Sequence, residues 1–331
     1  MPPARHRVAV IGARRKRQGT GEYIAREFAR CGCEVRAIVG TSASTVEIAR
    51  TALRERYGID CAGFTSLAAL LRSEPVDIVA VCSPADAHLA QLELAAKAGC
   101  HVFSEKPLWW SDQLGLCENA DAEVRKPTQR LLEQFLRHGR YLALNTQWPF
   151  TLDAFRQLHP QAGAGEGAIE HFSMWLSPTS QGADMLVDSA PHLISMLQAL
   201  AGPGTLEQVQ MRYHEILDLG KRSALELSCI YAHQRGATRV LFKLARCPQL
   251  PRPAGYSVNG FGVERHVELP GYLLSFVSNG NTIPVRDPLA AAVEDFVQAV
   301  DSGRAPDATS VVEGMVQLQQ LVAIACKEER L

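Results

Sequence analysis

The sequence predicts an α/β domain built on a doubly wound parallel sheet, followed by an α+β domain built on an open, mainly antiparallel sheet. Over residues 1–148 short β-branched runs alternate with segments of helical periodicity, a pattern that needs a parallel sheet covered on both faces. After Trp148-Pro149 the alternation stops, and extended runs follow one another with turn residues between them. A length of 331 residues accommodates two domains, expected at 1–148 and 149–331, with the C-terminal helices packing back on the first.

Each element has a local reason. Residues 7–11 form a β-branched strand, 19–28 a helix with Ile24, Ala25 and Phe28 on one face, and 34–39 a second strand. This is a βαβ unit. A strand over 76–82 leads through Ser83-Pro84 into a helix over 87–98, closed by Gly99 before a strand over 101–104. In the second half, strands are expected over 169–176, 206–217, 224–232, 238–245, 263–269 and 272–277, with helices over 188–200 and 289–301.

Composition excludes several classes. Lys plus Arg number 34 against 35 Asp plus Glu, so no global field gathers nucleic acid or an anionic membrane. No apolar run approaches the roughly 20 residues of a membrane span. Nine cysteines, an odd count without C-x-x-C spacing, read as reduced thiols rather than a disulfide frame or zinc site, and no metal constellation is present. Arg14-Arg15 is not followed by an apolar export segment, so the expected location is the cytoplasm.

The first βα turn is the place for a phosphate cradle, because backbone N–H groups and a helix N-terminus converge there. It reads Gly12-Ala-Arg14-Arg15-Lys-Arg17-Gln-Gly19-Thr20-Gly21. Gly12 and Gly21 can serve as the first and last glycines of a G-x-G-x-x-G turn, but they stand nine positions apart instead of five, and the excess is basic. The second strand ends in Gly40-Thr41-Ser42, with no carboxylate for an adenosine ribose 2′-hydroxyl. Hydroxyl residues beside an arginine-rich loop suit a 2′-phosphate, so NADP is favoured, with NAD as the alternative.

The run Ser83-Pro84-Ala-Asp-Ala-His88, with Ala98-Gly99-Cys-His101-Val102-Phe-Ser-Glu105-Lys106-Pro107-Leu108, resembles the glucose-fructose oxidoreductase, inositol dehydrogenase and MocA (Gfo/Idh/MocA) family, as does Gly182-Ala-Asp-Met-Leu-Val-Asp188-Ser-Ala-Pro-His192-Leu-Ile-Ser195. The likeness runs along nearly the whole chain. It implies a Rossmann domain, nicotinamide chemistry and a homodimer or homotetramer formed through the C-terminal sheet. The stretched basic loop, Ala183, Ala190 and Ser195 depart from the family pattern, as do about a dozen extra residues around Trp109, Trp110 and 119–126.

Asp188 and His192 stand four apart and share one face of a helix. Alone, such a pair is equally a salt bridge or a core histidine. The resemblance implies that His192 is the general acid/base, that Lys106 stabilises negative charge on a substrate oxygen, and that Asp188 binds a second hydroxyl or orients His192. It also places Ser83, Pro84, Glu105 and Lys106 at the cofactor, while His88 faces the cofactor or sits on the helix surface. Asn145, Gln147, Trp148, Trp175 and Gln181 line the substrate pocket or pack in the core. The expected substrate is a small polyol, sugar or related metabolite. An imine or other C=X reductase and a non-catalytic NADP-binding sensor are the rival readings.

Overall fold

Continuous apolar runs make up the middle of the first sheet. A computed structural model of the chain describes residues 5–14, 19–117, 119–162, 169–217, 219–269 and 271–329. By its internal contacts the chain forms two compact units, one of residues 1–111, 127–145 and 289–308, the other of 112–126, 146–288 and 309–331. Each is described by itself.

In the first unit, β1 (Arg7–Ile11), β2 (Glu34–Val39), β3 (Ala62–Phe64), β4 (Ile78–Val81), β5 (His101–Ser104) and β6 (Leu142–Leu144) pair in parallel, in the order β3-β2-β1-β4-β5-β6. This is the doubly wound order whose ligands bind outside the carboxyl ends of the strands. β4 and β5 are buried at every residue, which explains the unbroken apolar composition of β4, while β5 buries the polar His101 and Ser104 along with Val102 and Phe103. The crossovers are α1 (Gly21–Arg30), α2 (Ala43–Tyr57), α3 (Leu67–Ser73), α4 (His88–Lys97) and α5 (Lys126–Arg137), the last beginning one residue before the unit boundary. Phe28 of α1, Phe103 of β5 and Phe296, from the helix Pro288–Ser302, meet edge to face with centroids 5.4 to 6.0 Å apart.

The second unit holds α6 (Leu152–Leu158), β7 (His171–Leu176), α7 (Asp184–Ala201), β8 (Gly204–Ile216), β9 (Gly220–His233), β10 (Gly236–Ala245), β11 (Gly255–Val258), β12 (Phe261–Glu268), β13 (Leu273–Ser278) and β14 (Asn281–Val285). Then come α8 (Pro288–Ser302), which falls mainly in the first unit, and α9 (Ala308–Glu328), which falls mainly in the second. Among the described residues the sheet has eight strands, β14-β13-β12-β11-β7-β10-β9-β8, antiparallel except where β7 meets β10. Along β7 and β10 alternate residues are buried, so one face carries the core and the other is open.

The extra residues after Lys106 divide between the units. Trp109 and Trp110 are buried in the first, where Trp109 Nε1 donates to Thr128 Oγ1 at 3.2 Å. Residues 112–126 join the second, where Gln319 Nε2 donates to the Leu114 and Cys117 carbonyls and Arg125 forms a two-pronged ion pair with Glu313.

Candidate functional site

Two glycines of the first turn stand where backbone closes on backbone. Gly12 leaves β1 with a φ of +73°, and a Cβ there would lie 2.8 Å from the Cys82 carbonyl oxygen. A Cβ on Gly21, which opens α1, would lie 2.7 Å from the Gly12 carbonyl oxygen. Gly12 and Gly21 thus do what the first and last glycines of a dinucleotide turn do, despite the longer spacing. Thr20 holds the capping position of α1 but caps nothing, because its hydroxyl donates to Glu105 Oε1. α2 and α3 carry serine caps, Ser42 and Ser66. The first amides of α1 are therefore without a side-chain cap, the condition in which a helix start receives a phosphate.

Around this turn the other expected residues are placed as follows. Gly19 lies in the coil before α1, and Arg14 is exposed. Arg15 and Arg17 lie outside the described residues. At the end of β2, Thr41 and Ser42 are exposed. Ser42 has a structural task as well, a reciprocal capping box with Thr45 at the start of α2.

Glu105 joins three parts of the first unit. Its amide donates to the Val81 carbonyl at 2.8 Å, extending the β4–β5 ladder, and its largely buried carboxylate accepts from Thr20 and, at 2.7 Å, from Asn145 Nδ2. Asn145 is one of the residues expected to line the substrate pocket or pack in the core. Its Nδ2 braces Glu105, while its Oδ1 is buried without a hydrogen-bond partner among the described residues. Lys106, next in the chain, is half-buried, and the Lys106–Pro107 peptide is cis.

His88, expected to face the cofactor or sit on the helix surface, is not on the surface. It is 1% exposed, with Nε2 at 2.9 Å from the Ser83 carbonyl and Nδ1 at 3.0 and 3.2 Å from the Pro107 and Leu108 carbonyls. The ring fastens the Ser83-Pro84 turn to the loop that carries Lys106. Ser83 itself is buried and donates to Gln91 Oε1 at 2.6 Å, and Pro84 beside it is exposed.

In the second unit, α7 begins at Asp184, four residues before the expected start. Gly182 turns the chain with a φ of +63°, and the Ala183 amide donates to Glu329 Oε1 at 2.7 Å. Asp188 and His192 are half-buried one turn apart on this helix, with Pro191 between them. Trp175 is half-buried on the open face of the sheet, and Gly255 opposite it leaves room for the indole, since a Cβ there would come within 2.3 Å of the ring. Gln181 is exposed, accepts from Arg246 Nη1 at 3.4 Å and lines a cavity of about 460 Å³ with Tyr213, His214, Glu215 and Arg222. Gln147 is half-buried before a short 3-10 turn, Trp148–Thr151.

Trp148 is a core residue instead of a pocket wall: it is 6% exposed, meets Tyr256 edge to face at 5.9 Å and lies under the Arg265 guanidinium at 5.5 Å. Sequence reading missed Arg265. A signal was present, because strand alternation puts it on the same face as Val263 and Val267.

A parallel sheet in this order, a glycine turn closed on itself and an uncapped helix start define a dinucleotide-binding protein of the Rossmann class. Residues 6–133 match the Gfo/Idh/MocA family model, described as an oxidoreductase family with an NAD-binding Rossmann fold. A curated relative, D-glucoside 3-dehydrogenase of Escherichia coli, is 25% identical over 215 residues. The alignment takes in 59% of this chain and 54% of that one, so the chain spans about half the length of the curated relative it matches. Among solved structures, UDP-N-acetylglucosamine 3-dehydrogenase from Acidithiobacillus ferrooxidans superposes with a TM-score of 0.68 at 20% identity, covering 98% of this chain and 97% of that one. The myo-inositol 2-dehydrogenase of Lactobacillus plantarum gives 0.69 at 16% identity over 98% and 97%. At these identities the two structures share the fold. Among the described residues no helix is long and apolar enough to cross a membrane.

Proposed function

We propose that the protein is an NADP-dependent oxidoreductase that moves a hydride between nicotinamide and a hydroxyl or carbonyl of a small polyol, sugar or related metabolite. The observation that carries this reading is the Glu105 junction: it ties the glycine turn to the end of β5 and so fixes where Lys106 leaves the sheet. The carboxyl end of a doubly wound sheet is where such folds bind dinucleotides. When bound, the nicotinamide dinucleotide supplies the hydride acceptor or donor.

The chain supplies the remainder. The amides of Gly19 and Gly21 and the uncapped start of α1 hold the pyrophosphate, while Gly12, its own amide bonded to the Val39 carbonyl, shapes the turn. Thr41, Ser42 and the arginines at 14, 15 and 17 take the 2′-phosphate, a preference supported by the lack of a carboxylate after β2. The Lys106 ammonium hydrogen-bonds the substrate oxygen and stabilises negative charge there as the proton leaves. His192 exchanges that proton, and Asp188 orients the imidazole or binds a neighbouring hydroxyl.

Titrating NADPH and NADH by cofactor fluorescence tests the first half. NADPH is expected to bind at least tenfold more tightly, and tighter NADH binding overturns the preference. For the chemistry, turnover is followed over polyols, aldoses, keto sugars and imines. Lys106→Ala and His192→Ala are each expected to lower it by about 10²–10⁴-fold with the circular dichroism spectrum unchanged. Near-normal rates in either variant would remove that residue from its role.

A further inference from the structure

The end of the β8–β9 hairpin departs from regular pairing. His214 pairs with Ala224 and Ile216 with Gly220, which leaves residues 221–223 of β9 against Glu215 alone, a bulge of the kind that re-aims a side chain. Arg222 lies in this bulge with a φ of +59°, a left-handed conformation that an L side chain rarely takes and that costs free energy. Such positions gather at ligand clamps, held by what surrounds them.

What surrounds Arg222 is the start of α7. Its carbonyl accepts the Gly182 amide proton at 3.1 Å, its Nη2 donates to the Glu329 carbonyl, and the Glu329 carboxylate accepts the Ala183 amide proton at 2.7 Å. These two amides stand just ahead of Asp184, on the helix that carries Asp188 and His192 one and two turns further on.

The side chain of Arg222 faces the other way in function, since it lines the cavity of about 460 Å³ with Gln181, Tyr213, His214 and Glu215. All five residues belong to the second unit. The volume suits a small ligand, and the walls are chemically mixed: a guanidinium fork, a carboxylate, an amide, an imidazole and a phenol. A bare anion would meet Glu215 and a metal ion would meet Arg222, like charge in each case. Hydroxyl groups donate and accept at once, so a ring bearing several can use both residues.

We propose that this cavity binds a neutral saccharide, and that its occupant, by engaging Arg222, steadies the turn that sets the start of α7. The site is independent of the oxidoreductase reading; only its consequence for Asp188 and His192 rests on that reading. A free sugar and the distal ring of a glycoside substrate offer the same hydroxyls, and turnover separates them.

The full chain, without cofactor, is titrated calorimetrically with glucose and with maltose, and at least one is expected to bind saturably while inorganic phosphate and glycine do not. Arg222→Asn, which shortens the side chain but tolerates the left-handed backbone, and Glu215→Ala are each expected to weaken that binding by about tenfold. Hydrogen exchange at the Gly182 and Ala183 amides is expected to slow when sugar is added to the wild type and to stay unchanged in Arg222→Asn. Where maltose is turned over, a KM raised by Arg222→Asn for maltose and not for glucose assigns the ring to the substrate; unchanged KM values assign it to a free sugar. A wild type that binds neither sugar, that binds phosphate or glycine in their place, or whose binding both variants retain overturns the site. Sugar binding that leaves exchange at Gly182 and Ala183 unaltered overturns its hold on α7.

Discussion

Glu105 and Arg265 are both charged side chains drawn into the interior of their own units, and they differ in what surrounds them. Glu105 receives hydrogen bonds from Thr20 and Asn145 and hangs on the backbone of β4. Arg265 has one carbonyl, an aromatic face and a second arginine. The contrast separates two uses of buried charge. A group whose partners are all supplied by the chain holds its unit together; a guanidinium left with a dry, unused donor costs its unit stability.

Removing each charge should have opposite effects on stability. Glu105→Ala leaves the Thr20 hydroxyl and the buried Asn145 amide without their acceptor, and is expected to cost about 3 kcal/mol in urea unfolding. A loss below about 1 kcal/mol would erase the distinction. His101 offers an intermediate case, a titratable ring held neutral inside the first unit. Its Nδ1 accepts the Tyr141 amide proton at 2.9 Å, and burial, with Arg140 nearby, lowers its pKa from 6.5 to about 4. The fold favours the neutral ring, so this stability is complete above pH 6.5 and is lost progressively as the pH falls toward 4. Between pH 7 and 5 the loss should be on the order of 2 kcal/mol, and His101→Gln should flatten that part of the profile. An unchanged slope would show that the titration lies elsewhere. The smallest effect belongs to Arg265→Met, which should leave stability unchanged or raise it by about 1 kcal/mol.

How much of this was legible in the sequence depended on how local its cause was. β1, β2 and β5 occupy the residues expected of them because each carries its own short apolar, β-branched or aromatic run, at 8–11, 37–39 and 102–103, a cause that is local. β11 and β14 were missed: one is four residues beginning with glycine, the other an edge strand containing Asn281 and Pro284, and neither offers a readable run. The start of α7 was placed four residues late because it is set by Gly182 and by Glu329, which is remote in sequence. The same rule governs the site residues. Gly12 and Gly21 could be recognised because their roles follow from chain order and turn chemistry. The bracing role of His88, and the meeting of Trp148 with Arg265, arise from loops and strands far apart in sequence, so residue type alone could neither give His88 its contacts nor choose between pocket and core for Trp148.

The chain passes between its two units at 111–112, 126–127, 145–146, 288–289 and 308–309. Neither unit is therefore a continuous stretch that could be excised. A fragment ending near residue 148 would contain every strand of the parallel sheet but not Phe296, and would bare the faces of Phe28 and Phe103 that Phe296 covers. The nucleotide-binding half of this protein comes off the ribosome long before it can close its own core, and it stays unfinished until residues near the end of the chain return to it.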